Sequence, residues 1–136
     1  MDNTTKTVLI IDDEEFIRQS FCDYFEDCLW SPIGVESAEA ALALLEQASP
    51  QGAIVDIRLG GMNGNDFIRK AARQRPQMAF IICTGSPEYD IPTDVRELSC
   101  VSKQVFTKPI TDLSLLEEEL VRLIKHIESP GERGSV

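Results

Sequence analysis

Apolar and polar positions alternate along this chain in a pattern that predicts five strands and five helices. Five apolar runs are too short for helices and are typical of buried strands. Because most of these runs are apolar on both faces, they predict a parallel sheet covered on both sides. The predicted strands are residues 7–11, 30–35, 53–56, 78–83 and 104–107.

The stretches between these runs repeat apolar residues every three or four positions, as amphipathic helices do. One stripe begins at Ile17, and the longest one follows Leu113. Ser37 is placed to cap a second helix, a third is predicted at 66–74, and a short helical stretch lies around 93–99. Strands alternating with helices predict an α/β protein with a doubly wound parallel sheet.

Residues with chemical uses follow four of the five predicted strands. Asp12 and Asp13 follow the first strand, Asp56 ends the third, Thr84 follows the fourth, and Lys108 follows the fifth. Doubly wound sheets bind ligands outside the carboxyl ends of their strands. We therefore expect these five side chains to collect in one place.

Composition and charge exclude some classes of function. The 136 residues are 43% hydrophobic and 26% charged, which is typical of a soluble globular protein. The formal net charge of -10 argues against direct nucleic-acid binding, which needs clustered Lys and Arg. No apolar stretch approaches the roughly 20 residues of a membrane span, and the polar start does not resemble a signal peptide. We predict a cytoplasmic protein without membrane contact.

The chain is predicted to form a single domain at residues 6–128. Residues 1–5 are predicted to be a disordered start, and residues 129–136 a flexible tail or linker. His126, near the end of the last helix, is predicted to be solvated rather than catalytic. The cysteines are scattered without a C-x-x-C pair and are predicted to be buried reduced thiols: Cys22, Cys28, Cys83 and Cys100.

Asp56 is the residue on which a functional interpretation depends. It ends an apolar strand, and a turn with three glycines follows it. An ionised carboxylate is costly in such a place unless a metal or a hydrogen-bond donor meets it. Asp is also a common turn residue, however, and on this feature alone both interpretations stay open.

The acidic residues after the first strand need a cation. Asp12, Asp13 and the two following glutamates repel one another, although Asp13 could instead cap the next helix. Carboxylates suit Mg2+, and Lys108 could hold a phosphoryl group from the other side. Asp56 would then be the nucleophile that forms an aspartyl phosphate.

Together these residues resemble the motifs of response-regulator receiver domains, the phosphoacceptor domains of two-component signalling, over residues 6–128. The matching marks are Asp12-Asp13, Asp56, Thr84-Gly85 and Lys108-Pro109, in the same order and each at a strand end. The resemblance implies a flavodoxin-like fold with strand order 2-1-3-4-5 and helices on both faces.

The resemblance also implies the chemistry. Asp56 would take a phosphoryl group from a histidine kinase or a histidine phosphotransfer protein in a Mg2+-dependent step. Asp12, Asp13, Asp56 and the backbone carbonyl of Arg58 would bind the Mg2+. The chain would then be no enzyme beyond catalysing its own phosphorylation and dephosphorylation.

Thr84 and Lys108 would contact the phosphoryl group, and the Lys108-Pro109 bond would be cis. Drawing Thr84 inward would reshape the surface of the fourth helix, fifth strand and fifth helix, and so change contacts with an output protein or with an output domain missing here. The last helix could also support a homodimer.

Two positions depart from the family pattern, and two others are candidates for tuning. Gly60 stands where the family usually has proline, and Val105 where it often has an aromatic ring; on a strand, the neighbouring Phe106 should point to the opposite face. We expect Arg58 and Ser86 to tune the loss of the phosphoryl group, with Arg58 restricting the attacking water or simply being solvated.

Two alternatives remain. A phosphorylation-independent interaction module of the same fold would be free to lose the acids and the lysine, and this chain keeps them. A phosphatase of the haloacid dehalogenase type would need Asp-x-Asp after the first strand, where this chain has Asp12-Asp13-Glu14.

Overall fold

The computed structural model describes residues 5–128, so residues 1–4 of the predicted disordered start and the predicted tail at 129–136 lie outside the described part. Five parallel strands form one sheet in the order β2-β1-β3-β4-β5, which confirms the predicted fold and strand order. The strands are β1 (Thr7–Ile11), β2 (Ser31–Val35), β3 (Gly52–Asp56), β4 (Ala79–Thr84) and β5 (Val101–Thr107).

Five helices connect and follow the strands, and they cover both faces of the sheet. They are α1 (Glu15–Asp27), α2 (Ala38–Leu45), α3 (Gly64–Gln74), α4 (Thr93–Arg96) and α5 (Leu113–Glu128). Among residues 5–128, none of these helices has the length and apolar character needed to cross a membrane.

The core consists of two apolar layers, one on each face of the sheet. Val8 and Ile10 of β1 pack with α1 and α5, whereas Leu9 and Ile11 pack with α2, α3 and α4. This division follows from the period of two along a strand, which sends successive side chains to opposite faces. Because both layers are apolar, the strand ends are where polar groups can gather.

The boundaries of α4 and β5 differ from the prediction. Helix α4 is a single turn, shorter than the predicted stretch at 93–99, and β5 begins at Val101 rather than at residue 104. The sequence does not indicate this earlier start of β5, because Ser102 is polar, yet its side chain is buried. Its hydroxyl donates to the Glu119 carboxylate at 2.5 Å, which satisfies the buried group.

The start of α1 corrects one interpretation, because Asp13 does not cap the helix. Glu14 occupies the N-cap position without a side-chain capping bond. The Glu14 amide instead donates to Oδ1 of Asp12 at 2.9 Å. Helices α2 and α3 do have side-chain caps, from Ser37 and Asn63 respectively.

The end of α1 is closed by backbone bonds around a left-handed residue. The amide of Leu29 donates to Glu26 O at 3.0 Å, and that of Trp30 donates to Phe25 O at 2.9 Å. This arrangement needs a positive φ at the residue after the helix, and Leu29 supplies it with a φ of 71°. The Leu29 side chain is 83% exposed, so packing does not compensate for the strain.

Two further features concern the outer parts of the molecule. Glu117 of α5 accepts hydrogen bonds from the Tyr24 hydroxyl at 3.0 Å and from Trp30 Nε1 at 2.9 Å, which ties α5 to the end of α1. Strand β2 forms one edge of the sheet and contains Pro32, as the pattern predicts for an edge strand.

The single histidine is less exposed than predicted, and the cysteines match the prediction only in part. His126 is half-buried near the end of α5. The four cysteines form no disulfide, and Cys83 and Cys100 are buried. Cys22 and Cys28 are only half-buried, so the prediction of buried thiols holds for two of the four.

Candidate functional site

The sheet brings the predicted residues to its carboxyl edge. Asp12 follows β1, Asp56 and Thr84 are the last residues of β3 and β4, and Lys108 follows β5. Asp12, Asp56 and Thr84 are the polar residues that the core buries at this edge. Buried carboxylates need partners, and the geometry supplies them.

Lys108 is the cation that meets the buried acids. Its Nζ lies 2.7 Å from Asp12 Oδ2 and 3.3 Å from Asp56 Oδ2, with Glu14 Oε1 at the longer distance of 3.9 Å. The Lys108 side chain is itself only 11% exposed. A buried amine thus lies between two buried carboxylates, with a third acid at the surface.

Three carboxylates lie close enough to share a cation. One oxygen each of Asp12, Asp13 and Asp56 lie within 4.8 Å of one another, and Asp13 is the exposed member of the three. Carboxylate oxygens in such a group, with one side open for water, are the donor set that Mg2+ prefers. The residues present therefore fit Mg2+.

The pKa values of Asp56 and Lys108 are both raised, for different reasons. Burial raises the pKa of Asp56, and the nearby Lys108 ammonium only partly offsets this. Burial would lower the pKa of Lys108, but its hydrogen bond to Asp12 and the charges of both acids raise it. Lys108 is therefore held as a cation, whereas Asp56 carries a charge that the fold does not fully compensate.

Thr84 lies beside this group but does not line the cleft. Its side chain is fully buried, and its Oγ1 accepts a hydrogen bond from the Ser86 amide at 3.1 Å. The Thr84 carbonyl accepts from the Lys108 amide at 2.8 Å, which ties the ends of β4 and β5 together. The Lys108-Pro109 peptide bond that follows is cis, as predicted.

The cleft at this edge has a volume of about 330 Å³, and its lining adds two residues that were given no role in the predicted site. Glu14 was noted only as one of the acids that repel one another, and Gly85 only as part of the Thr84-Gly85 mark. Arg58 also lines the cleft, with an exposed side chain and an amide that donates to Asp56 Oδ1 at 3.3 Å. The lining residues are Asp13, Glu14, Asp56, Arg58, Gly85 and Lys108.

A cavity of about 410 Å³ lies elsewhere, at the end of the sheet where strands begin. It is lined by residues such as Pro50, Arg75 and Met78, and Arg75 donates to the carbonyl of Leu45 at the end of α2. This larger cavity contains none of the acids described above, so the smaller cleft is the candidate site.

Val105, one of the two departures from the family pattern, has a clear place in the structure. Val105 packs with the layer of α2, α3 and α4, whereas Phe106 packs with α1 and α5. The two side chains thus point to opposite faces, as predicted. Tyr89, in the loop after β4, packs against the same layer as Val105, and its hydroxyl donates to Asn65 Oδ1 at 2.6 Å.

Comparison with known proteins supports one family. The family described as the response regulator receiver domain matches residues 8–120. A protein-glutamate methylesterase/protein-glutamine glutaminase of Pseudomonas savastanoi is 29% identical over 117 residues, which cover 83% of this chain and 32% of the relative. The transcriptional regulatory protein FixJ of Azorhizobium caulinodans is 28% identical over 112 residues, which cover 80% of this chain and 51% of FixJ.

Solved structures agree with these relatives. A CheY-like receiver domain of Methanospirillum hungatei has a TM-score of 0.79 and 28% identity, with coverage of 93% of this chain and 99% of that one. The Thermotoga maritima protein TrrA, solved with Mg2+ and beryllium fluoride, has a TM-score of 0.75 at 20% identity, over 88% of this chain and 99% of TrrA, and shows the shared fold. The chain spans about a third of the length of the methylesterase relatives, at 32 to 35%.

Proposed function

Since this chain belongs to the family of response regulator receiver domains, we propose that Asp56 is its phosphoacceptor and that the cleft takes a phosphoryl group in a Mg2+-dependent step. One observation carries the proposal: Asp56 is buried against Lys108 and shares a cation-sized space with Asp12 and Asp13. A carboxylate held in this way is preorganised for a phosphoryl group, since phosphoryl transfer needs mainly positioning and charge neutralisation.

The donor is a phosphohistidine on a histidine kinase or a histidine phosphotransfer protein. A carboxylate oxygen of Asp56 forms the new bond to phosphorus as the bond from phosphorus to the imidazole nitrogen breaks. The electron pair of the broken bond stays on the imidazole nitrogen, and because the other ring nitrogen carries a proton, the histidine leaves as a neutral imidazole. The product is an aspartyl phosphate.

Two groups of this chain, together with a bound Mg2+, would meet the added charge. Lys108, held as a cation by Asp12, binds the phosphoryl oxygens from one side. Thr84 Oγ1 is an acceptor in its bond with the Ser86 amide, so its own proton remains free to be donated to a phosphoryl oxygen. Bound by Asp12, Asp13, Asp56 and the Arg58 carbonyl, Mg2+ would supply the positive charge that draws the phosphoryl oxygens into the cleft.

Loss of the phosphoryl group requires water at the cleft, and we expect Arg58, which lines the cleft, and Ser86, whose amide donates to Thr84 Oγ1, to tune it. Arg58 is exposed and lines the cleft, which places a long cation where an attacking water must pass. We expect Arg58→Ala to change the dephosphorylation rate. Equal rates for the variant and the native protein would show that Arg58 is simply solvated.

The output passes through contacts with another protein or another domain. Among similar proteins, one is a methylesterase and another a transcriptional regulator, and both are longer than this chain. The chain itself turns over no separate substrate, and its signal lies in the changed surface around α4, β5 and α5 once Thr84 moves. The residue two positions after Asp12 is Glu14, which gives no support to a phosphatase of the dehalogenase type.

Intact-mass measurement after incubation with Mg2+ and acetyl phosphate tests this function. We expect the native protein to gain one phosphoryl mass and to gain none with a chelator. Asp56→Asn should gain none, whereas Asp27→Asn, at an exposed site at the end of α1, should behave as the native protein does. A native protein that never gains the mass would favour the phosphorylation-independent interaction module.

A further inference from the structure

The loop between β3 and α3 carries Arg58 and begins directly after Asp56. Its base is closed, because the Gly64 amide donates to Ile57 O at 3.0 Å. Gly64 also rests on the strand end, since a Cβ there would lie 2.9 Å from the Ile57 Cα. Strand end and helix start are thus locked together, and the freedom of this loop is concentrated in its outer part.

The tip of the loop has little packing of its own. Gly60 is exposed, and a Cβ built on it would find no atom within 4 Å. Gly61 follows with a φ of +76°, a conformation that favours glycine. Leu59, between Arg58 and these glycines, is buried in the core and anchors that side of the loop. The two adjacent glycines give the tip beyond it more backbone freedom than any other pair of residues, so an external contact at the tip would restrict the loop further.

Glu39, in the first turn of α2, supplies that contact. Its Oε2 accepts a hydrogen bond from the Met62 amide at 2.9 Å. The same oxygen lies 2.8 Å from where a Cβ at Gly61 would be, so the carboxylate covers the tip. Helix α2 is a firm base for it, because Ser37 caps the helix by accepting from the Ala40 amide at 3.0 Å.

The protonation state of Glu39 agrees with this contact. The hydrogen bond from the Met62 amide lowers the pKa of Glu39, and so favours its ionised form. The side chain is exposed and lines no part of the cleft. Glu39 can therefore influence the cleft through the position of the loop or through the field of its charge, and these two effects can be separated.

We propose that Glu39 is a positioning residue, which holds the loop between β3 and α3 so that the Arg58 carbonyl and Asp56 keep the geometry that binds Mg2+. This inference rests on the proposed function, because it concerns the same cleft. It assigns a role in the site to α2, an element that contributes no residue to the lining of the cleft.

Calorimetric titration of the whole protein with Mg2+, together with hydrogen exchange at the Met62 amide, tests the proposal. We expect Glu39→Ala to bind Mg2+ about three- to tenfold more weakly, and its Met62 amide to exchange faster by a similar factor, as the loss of one hydrogen bond implies. Glu39→Gln keeps an acceptor oxygen and should stay within about twofold of the native protein in both measurements.

Two further variants sharpen the test. Glu46→Ala removes one exposed acid at the other end of α2 and should leave both measurements unchanged. Gly60→Ala, placed in the Glu39→Ala background, reduces the freedom of the tip without a clash and should recover part of the affinity. Exchange at core amides of β3 should be the same in all variants, which reports that each one folds.

Three outcomes would overturn the proposal. Equal Mg2+ affinity for Glu39→Ala and the native protein would show that the contact of Glu39 with the loop is not needed to position the Mg2+ ligands. A loss in Glu39→Gln as large as in Glu39→Ala would assign the effect to charge rather than to position. A native protein that binds no Mg2+ would refute the proposed function itself. The titration of the native protein alone distinguishes this outcome from the other two.

Discussion

At the scale of single residues, the site depends on an incomplete balance of buried charge. Lys108 contacts Asp12 at 2.7 Å and Asp56 at the longer distance of 3.3 Å, so Asp56 is the less compensated acid. Burial raises its pKa above the ordinary value for an aspartate. A group with a raised pKa in the folded state stabilises the fold at low pH, and this contribution is lost as the pH rises through that pKa.

Replacing Asp56 by asparagine should therefore stabilise the protein when Mg2+ is absent. At neutral pH the ionised Asp56 carboxylate is buried at a cost in free energy. The asparagine amide has nearly the same size and avoids this cost. We expect the free energy of unfolding in a chelator to rise by about 1 kcal/mol. Urea unfolding followed by the fluorescence of Trp30, the single tryptophan, measures the change.

Mg2+ should reverse the order of the two proteins. The native protein gains stability by binding the ion, whereas Asp56→Asn lacks one of the carboxylates and gains less. Asp27→Asn is the control and should match the native protein with and without Mg2+. A less stable Asp56→Asn in chelator would mean that its contact with Lys108 outweighs the cost of burial.

Most site residues could be predicted because each stands where an apolar run stops abruptly. Asp12, Asp56 and Lys108 are marked in this way, and the parallel topology brings them to one edge. Glu39 could not be predicted, because its contact with Met62 joins two segments whose distance depends on the path of a loop. Contacts of this kind leave no periodic signal in a sequence.

At the scale of elements, α1 ends in a strained conformation that a substitution can relieve. Leu29 has a φ of 71° and an 83% exposed side chain, so its β-carbon is strained and its contacts offset little of this. The backbone bonds that close the helix require the left-handed residue, and they do not require leucine.

Leu29→Gly should stabilise the protein. Glycine adopts the same φ without strain, although it adds some freedom to the unfolded chain, and we expect a net gain of about 0.5–1 kcal/mol. Leu29→Ala keeps a β-carbon and should stay within about 0.5 kcal/mol of the native protein. Thermal unfolding of the three proteins makes the comparison, and equal midpoints for Gly and Ala would show that no strain is stored at this position.

The existence and order of the elements could be predicted, and their ends could not. Strand β5 begins three residues earlier than predicted because Ser102 satisfies its hydroxyl through Glu119, a residue of α5. The third helix begins at Gly64 rather than at residue 66, because Asn63 accepts from the Asp66 amide at 2.9 Å. In both places a side-chain hydrogen bond, rather than the periodicity of the apolar residues, determines where the element begins.

At the scale of the whole molecule, the two-layered core controls which thiols can react. Cys83 and Cys100 lie inside the layers, and burial raises the pKa of Cys83 to about 12 and also raises that of Cys100. Burial also raises the pKa of the half-buried Cys22. Thiolate is the reactive form, so the core protects its cysteines in two ways: it restricts the access of reagents, and it keeps the thiols protonated.

We expect only Cys22 and Cys28 to react with a thiol reagent in the folded protein at about pH 8, and all four cysteines after denaturation. Mass spectrometry of digested protein after a short alkylation identifies the modified positions. Modification of Cys83 in the native protein, at the rate seen in denaturant, would mean that the layer between the sheet and α5 opens readily.

Pro32 in β2 has a consequence for how molecules of this protein meet one another. The Ser31 amide donates inward to Lys6 O at 2.7 Å, so the alternation along the strand turns residue 32 outward. Proline has no hydrogen to offer there, and the exposed margin of β2 lacks a donor at its second position. A strand of a neighbouring molecule therefore cannot form an unbroken ladder of backbone hydrogen bonds with this edge of the sheet. This disfavours amyloid-like growth even when the protein is concentrated.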